Sequence, residues 1–309
     1  MALIAVKNEL ARAVYASQKQ SNRGRPRSTS IAEIIDKIVY VCRTGCQWRS
    51  IDGHDWISCK TVYHWFRIWS HNRIFEHAFY KLSTAYRFQY QYPLIADTSY
   101  VKNIFGKDVI GANATDRGRK ATKVSLLADS KAVPIALCFH RGNKSDFKSL
   151  PHLLQEAQRK TSLPVSIHKQ LYADKGYDSQ TCRSACRVHG LQPNIPKRGS
   201  QSVWAGIRIA VEVCFGHIDK FRRCILRYDA SIAHFKSFHY LACSFLVARA
   251  WDYISYWKCR VPIALLIFAF DSALRICSNM KNNLAPSISY EWASLSRLDW
   301  LVWGHLNSF

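Results

Sequence analysis

The sequence predicts an α/β protein, with an N-terminal all-helical domain ahead of a core of helices flanking a mixed five-stranded sheet. Three observations predict it. The chain has 309 residues, 48% of them hydrophobic, enough to bury one sizeable core and a smaller appended one. As far as about residue 90 its apolar residues recur at helical spacing. Beyond Pro93 they fall into short runs bounded by polar punctuation, with helical stretches between the later runs.

In chain order, residues 1–22 are polar and alternate in character, which reads as a helical or loose lead-in. Arg23-Gly24-Arg25-Pro26-Arg27 is too rich in charge and turn formers to fold by itself, and reads as an extended basic arm, with a solvated linker the alternative. Behind a Ser30 cap, Ile31, Ile34, Ile35, Ile38, Val39 and Cys42 mark an amphipathic helix that ends at a turn around Gly45. After an interruption at Ile51 to Trp56, one more periodic stretch runs from Thr61 to Tyr86. Its aromatics Tyr63, Trp65, Phe66, Trp69, Phe75 and Phe79 read as core, since helical periodicity accounts for them.

Strands are expected at Leu94 to Ala96 ending on Asp97, Lys123 to Ala128 ending on Asp129, and Val133 to Phe139. A helix follows from Ser145-Asp146 to about Lys160, then a fourth strand at Gln170 to Ala173 ending on Asp174. Asp178 is placed to cap the next helix, a fifth strand covers Leu191 to Ile195, and Glu212 falls in a helical stretch from Val203 to Arg223. The organisation expected from these patterns is a lead-in (1–22), a helical domain with its basic arm (23–90), an α/β domain (91–257) and an extension of unknown role (258–309).

Lys and Arg number 44 against 21 Asp and Glu, a formal charge of +23. Such an excess, spread along the chain, points to a polyanion and favours nucleic acid over a membrane surface. The longest apolar run, Val261 to Phe270, is too short for a bilayer, and no signal-peptide pattern is present, so the chain is expected in the cytoplasm, associated with the nucleoid. The 11 cysteines form no C-x-x-C pair and read as reduced, mostly buried thiols. Cys182, Cys186 and His189 have the only metal-like cysteine spacing, and three ligands without a fourth make a weak zinc signature.

Asp97 and Asp174 each close a short apolar strand, and Glu212 lies on a helix that would pack beside that sheet. Acids on a rigid edge are held where chemistry can use them. At about 4 Å two bare carboxylates repel by roughly 4 kcal/mol at an effective dielectric near 20. A divalent cation relieves that repulsion, and oxygen-only ligands select hard ions, Mg²⁺ or Mn²⁺. Two such ions about 4 Å apart serve phosphodiester chemistry.

The stretches ADTSYVK at Asp97, RGRKATKVSLLAD from Arg117 to Asp129, LYADKGYDS around Asp174 and RIAVEVCFGHIDKFRRCILRYD around Glu212 resemble the DDE transposases of bacterial insertion sequences. They are most similar to the insertion-sequence-five-like group, whose N-terminal helical domain GRPRSTSIAEIIDKIVYVCRTGCQWRSI also resembles. The resemblance covers roughly residues 23 to 256. It implies a ribonuclease-H-like fold, metal ligation by Asp97, Asp174 and Glu212, and cleavage at element ends followed by strand transfer. The partners implied are double-stranded DNA, as terminal inverted repeats and as target, and further copies of the chain in a homo-oligomer. Arg23, Arg25, Arg27, Arg117, Arg119, Lys123, Lys175, Arg208, Lys220, Arg222 and Arg223 are expected to contact DNA. Ala205 and Asp219 stand where related enzymes carry Tyr and Lys, with Lys220 one position further on. The alternatives are a catalytically silent DNA-binding derivative and a nuclease on the same fold.

Overall fold

The computed structural model of the chain describes residues 2–17, 29–52, 57–161, 169–200 and 205–251. The arm with Arg23, Arg25 and Arg27, the extension at 258–309 and the first residues of the stretch expected from Val203 lie outside the described residues.

Helix α1 (Ala2–Ser17) places Val6, Leu10 and Val14 on one buried stripe and packs on α4, so the described part of the lead-in is helical. In α2 (Ile31–Thr44) every residue of the expected apolar set is buried, together with Val41. Its start is a capping box: Ser30 Oγ accepts from the Glu33 N–H at 3.1 Å, and the Glu33 carboxylate accepts from the Ser30 N–H at 3.1 Å. Gly45 ends it in the left-handed region at φ +71°, where a Cβ would also stand 2.9 Å from the Cβ of Arg222.

The single periodic stretch expected from Thr61 to Tyr86 is two helices, α3 (Cys59–His71) and α4 (Ile74–Gln89). Arg73, left-handed at φ 56°, turns the chain between them. Because a two-residue turn leaves the apolar phase nearly intact, periodicity does not register the break. Phe66, Trp69, Phe75 and Phe79 are core as expected and Trp65 is half-buried, whereas Tyr63 is exposed.

The sheet runs β4 (Pro134–Arg141), β3 (Lys120–Asp129), β1 (Leu94–Asn103), β5 (Lys169–Ala173), β6 (Leu191–Asn194). The first three are antiparallel neighbours, and β5 and β6 continue in parallel. Two-residue strands β2 (Gly111–Ala112) and β7 (Leu226–Arg227) pair with β3 and β1 and add to the five expected strands, giving seven among the described residues. Helix α5 (Asp146–Thr161) lies against β3 and β4. Helix α6 (Gln180–Val188) is capped by Ser179, not by Asp178, whose carboxylate is taken by Arg183 at 2.8 Å and the Arg198 N–H at 2.9 Å.

Helix α7 (Ala205–Asp219) packs on β1 and β3, and a short α8 (Arg222–Ile225) follows it. Successive strand residues point to opposite faces. Asp97 reaches α7 while Thr98 bonds to Asp146 at the start of α5, so these two helices cover opposite faces of the sheet. A last described helix, α9, covers residues 232–251 and is buried along most of its length. Phe238 of α9 stacks on Phe66 of α3 at 4.7 Å between ring centres, so the N-terminal helices and the sheet share one core.

Candidate active site

Strand β1 pairs with β3 from Leu94 to Lys102 but with β5 only over Leu94 to Ala96. Asp97 therefore lies within a strand, not at its end as expected from sequence: the antiparallel partner carries β1 on to Asn103 after the parallel partner has stopped. The Ala96–Ala173 pair is the last of the parallel ladder, so Asp97 and Asp174 emerge together at its edge. Asp97 Oδ1 accepts from the Thr98 N–H at 2.8 Å. Asp174 caps the 3₁₀ turn Lys175–Tyr177, accepting from the Lys175 N–H at 2.7 Å.

Glu212 arrives from α7, and Arg208 lies one helical turn before it. The Arg208 guanidinium reaches all three acids: Asp174 at 3.2 Å, Asp97 at 3.6 Å and Glu212 at 4.0 Å. The three expected residues are thus brought together around one cation. Burial pushes the Asp97 pKa up, with Asp174 and Asp146 adding to the rise and the Thr98 N–H and Arg208 opposing it. Glu212, with a side chain 64% exposed, forms the open side of the cluster.

The donor set is all carboxylate oxygen, which fits a hard divalent cation. Among the described residues no three His, Cys, Asp or Glu side chains stand at metal-holding range. That includes the three acids, which are gathered around the guanidinium at ion-pairing distances. It includes Cys182, Cys186 and His189 as well: both thiols are buried, burial pushes the Cys186 pKa up to about 12, and His189 caps the end of α6.

Of the other cations expected at DNA, Arg117, Arg119, Lys175, Lys220 and Arg222 are exposed. Lys123 and Arg223 are not available, which corrects their assignment. The Lys123 side chain is 2% exposed and donates to Asp146 and to the Lys144 carbonyl, each at 2.7 Å. Arg223 donates to the two carboxylate oxygens of Asp229 at 3.3 and 3.1 Å inside the core. A cation that enters the interior takes an acid with it, so it has no charge left for a phosphate.

Asp146 was legible only as a helix start. It accepts from Thr98 Oγ1 at 2.9 Å as well as from Lys123, and so ties α5 to β1 and β3 directly behind Asp97. A lysine inside the apolar run Lys123 to Ala128 was the signal that an acid had to meet it.

The sequence pattern described as Transposase DDE domain matches residues 48–244, well over half of the chain. The chain belongs to this family. A second pattern, for transposases of the IS4/5 family, matches residues 9–79. A transposase for insertion sequence element IS402 of Burkholderia cepacia is 31% identical over 130 residues, which are 40% of this chain and 62% of that relative. The chain thus spans about three fifths of the relative's length. Likeness to solved structures is looser. A piggyBac transposase synaptic complex with hairpin DNA gives a TM-score of 0.38 at 11% identity, over 65% of this chain and 51% of that one. A pre-cleavage Mos1 transpososome gives 0.26 at 10% identity, over 78% and 85%. In this DDE-family chain the sheet of three antiparallel and two parallel strands with helices on both faces is the ribonuclease-H-like core that the resemblance implied. Transposase DDE domains depend on a divalent metal, and no described helix is long and apolar enough to cross a membrane.

Proposed function

We propose that the chain is a DNA transposase that cuts at the ends of its element and joins the freed 3′ ends to target DNA. The observation that carries this reading is the convergence of Asp97, Asp174 and Glu212 on one guanidinium, at the edge of a parallel ladder, in a DDE-family chain.

Asp97 is held by its pairing within β1 and by the Thr98 N–H, and Asp174 by the Lys175 N–H just past the end of β5, so both are ligands of fixed direction. Glu212 adds a third carboxylate from a helix, on the side open to DNA. Together the three hold Mg²⁺ or Mn²⁺, as two ions; when bound, these activate the attacking oxygen and stabilise the leaving 3′ oxygen. The exposed Arg117, Arg119, Lys175, Lys220 and Arg222 contact phosphates, which position the duplex without reading its sequence. The N-terminal helices and the Arg23, Arg25 and Arg27 arm recognise the inverted repeats. Two ends must be held together for strand transfer, so the working form is a homo-oligomer on DNA, acting in the cytoplasm at the nucleoid.

The test incubates purified protein and Mg²⁺ with a plasmid carrying the element's flanking repeats. Joined products are expected. Cut ends without joining would make it a nuclease on this fold, and binding without cutting a silent DNA-binding derivative.

A further inference from the structure

Arg208 is held in an unusual way for an arginine among acids. A tight arginine–carboxylate pair is bidentate, with two parallel N–H···O bonds to one partner. Arg208 instead divides itself among three acids, and only its contact with Asp174, at 3.2 Å, is a hydrogen bond. Those to Asp97 and Glu212, at 3.6 and 4.0 Å, are charge proximity alone. Its Nε is buried without a hydrogen-bond partner. The guanidinium therefore serves as a counter-charge shared by the cluster and is weakly anchored to any one member.

The same placement has a geometric consequence. The acids stand around the guanidinium and none of them at coordination range. A divalent cation held by the same three carboxylates would compete for the space between them, where the guanidinium stands. Arg208 shares α7 with Glu212 at i, i+4, so its long side chain can swing out while the helix and Glu212 stay in place.

We propose that Arg208 is a displaceable internal cation: it holds the place among Asp97, Asp174 and Glu212 that a divalent ion takes, and leaves it when that ion binds. This rests on the reading of those three acids as metal ligands. Arg208 keeps the acids together before the metal arrives and is released toward the phosphates of the DNA afterwards.

The test titrates Mn²⁺ into the full-length protein and follows the free ion by electron paramagnetic resonance, for wild type, Arg208→Gln and Arg208→Lys. Removing a competing charge is expected to tighten Mn²⁺ binding by about tenfold in Arg208→Gln, while Arg208→Lys stays near wild type. Equal or weaker binding in Arg208→Gln overturns the proposal. A second measurement avoids the glutamine variant: the Arg208 Nε–H resonance of wild type, identified by its loss in Arg208→Lys, should shift when Mg²⁺ is added. A resonance that stays put while Mg²⁺ binds also overturns it. Asp97→Asn separates the two readings. If it abolishes Mn²⁺ binding while Arg208→Gln leaves affinity unchanged, the ligand assignment survives and the displacement does not. If it leaves Mn²⁺ binding intact, the ligand assignment fails and the displacement falls with it.

Discussion

Asp97 and Asp174 stand side by side because the parallel pairing of β1 with β5 stops one residue before each of them, at Ala96 and Ala173. Their juxtaposition is a property of strand register, so replacing either side chain leaves it unchanged. Asp97→Asn, Asp174→Asn and Glu212→Gln are each expected to lower Mg²⁺-dependent cleavage by about a thousandfold or more. Affinity for DNA, which comes from the basic excess, should stay near wild type. A variant that keeps substantial cutting in a plasmid-nicking assay removes its residue from the ligand set.

Adjacent arginines should separate into two kinds. Arg222 is exposed and Arg223 buried against Asp229. Arg222→Gln is expected to reduce the slope of log affinity against log salt by about one while leaving stability unchanged. Arg223→Gln strands a buried carboxylate and should cost roughly 3 kcal/mol in urea unfolding. Lys123→Met should behave like Arg223→Gln, at a smaller cost because its partner Asp146 is partly open to water. Similar stability losses at Arg222 and Arg223 would contradict the burial difference.

The contact between Phe66 and Phe238 joins α3 to α9 across most of the sequence. Both rings are fully buried. Phe238→Ala is expected to cost about 3–5 kcal/mol and to shift the N-terminal helices and the sheet in a single unfolding transition. Two resolved transitions, read by tryptophan fluorescence and circular dichroism, would show that the two parts are not one cooperative core.

Acid should destabilise the fold through His239. Burial pushes its pKa down to about 4, against the raising effect of the Phe235 carbonyl, which accepts from its Nδ1 at 3.0 Å. Below about pH 6.5 the unfolded chain binds a proton that the folded ring refuses, so stability is full above that pH and falls as pH drops towards 4. The loss should approach about 3 kcal/mol at most. His140, also lowered to about 4 by burial, acts in the same sense. Asp97 and Asp129, raised by burial, act in the opposite sense nearer their own carboxylate range. His239→Phe, which keeps the ring packed on Phe139 and Phe235, should flatten the dependence of urea midpoint on pH between 6.5 and 5.

Most of the longer elements can be read from local sequence, as can the three acids that converge on Arg208. Ser30, the isoleucine spacing and Gly45 define α2 without tertiary help, because capping and amphipathic periodicity act over a few residues. The apolar runs ending near Asp129 and Asp174 likewise mark β3 and β5. Whatever depends on partners far along the chain is fixed by the folded packing alone. Asp97 is interior to its strand because β3 outlasts β5 as a neighbour. Arg208 stands among three acids from three elements, and Lys123 and Arg223 turn inward to acids that composition cannot place. A basic residue looks the same in sequence whether it faces a phosphate or a buried carboxylate. Its direction is set by strand alternation and helix phase, and its neutralising partner by long-range packing.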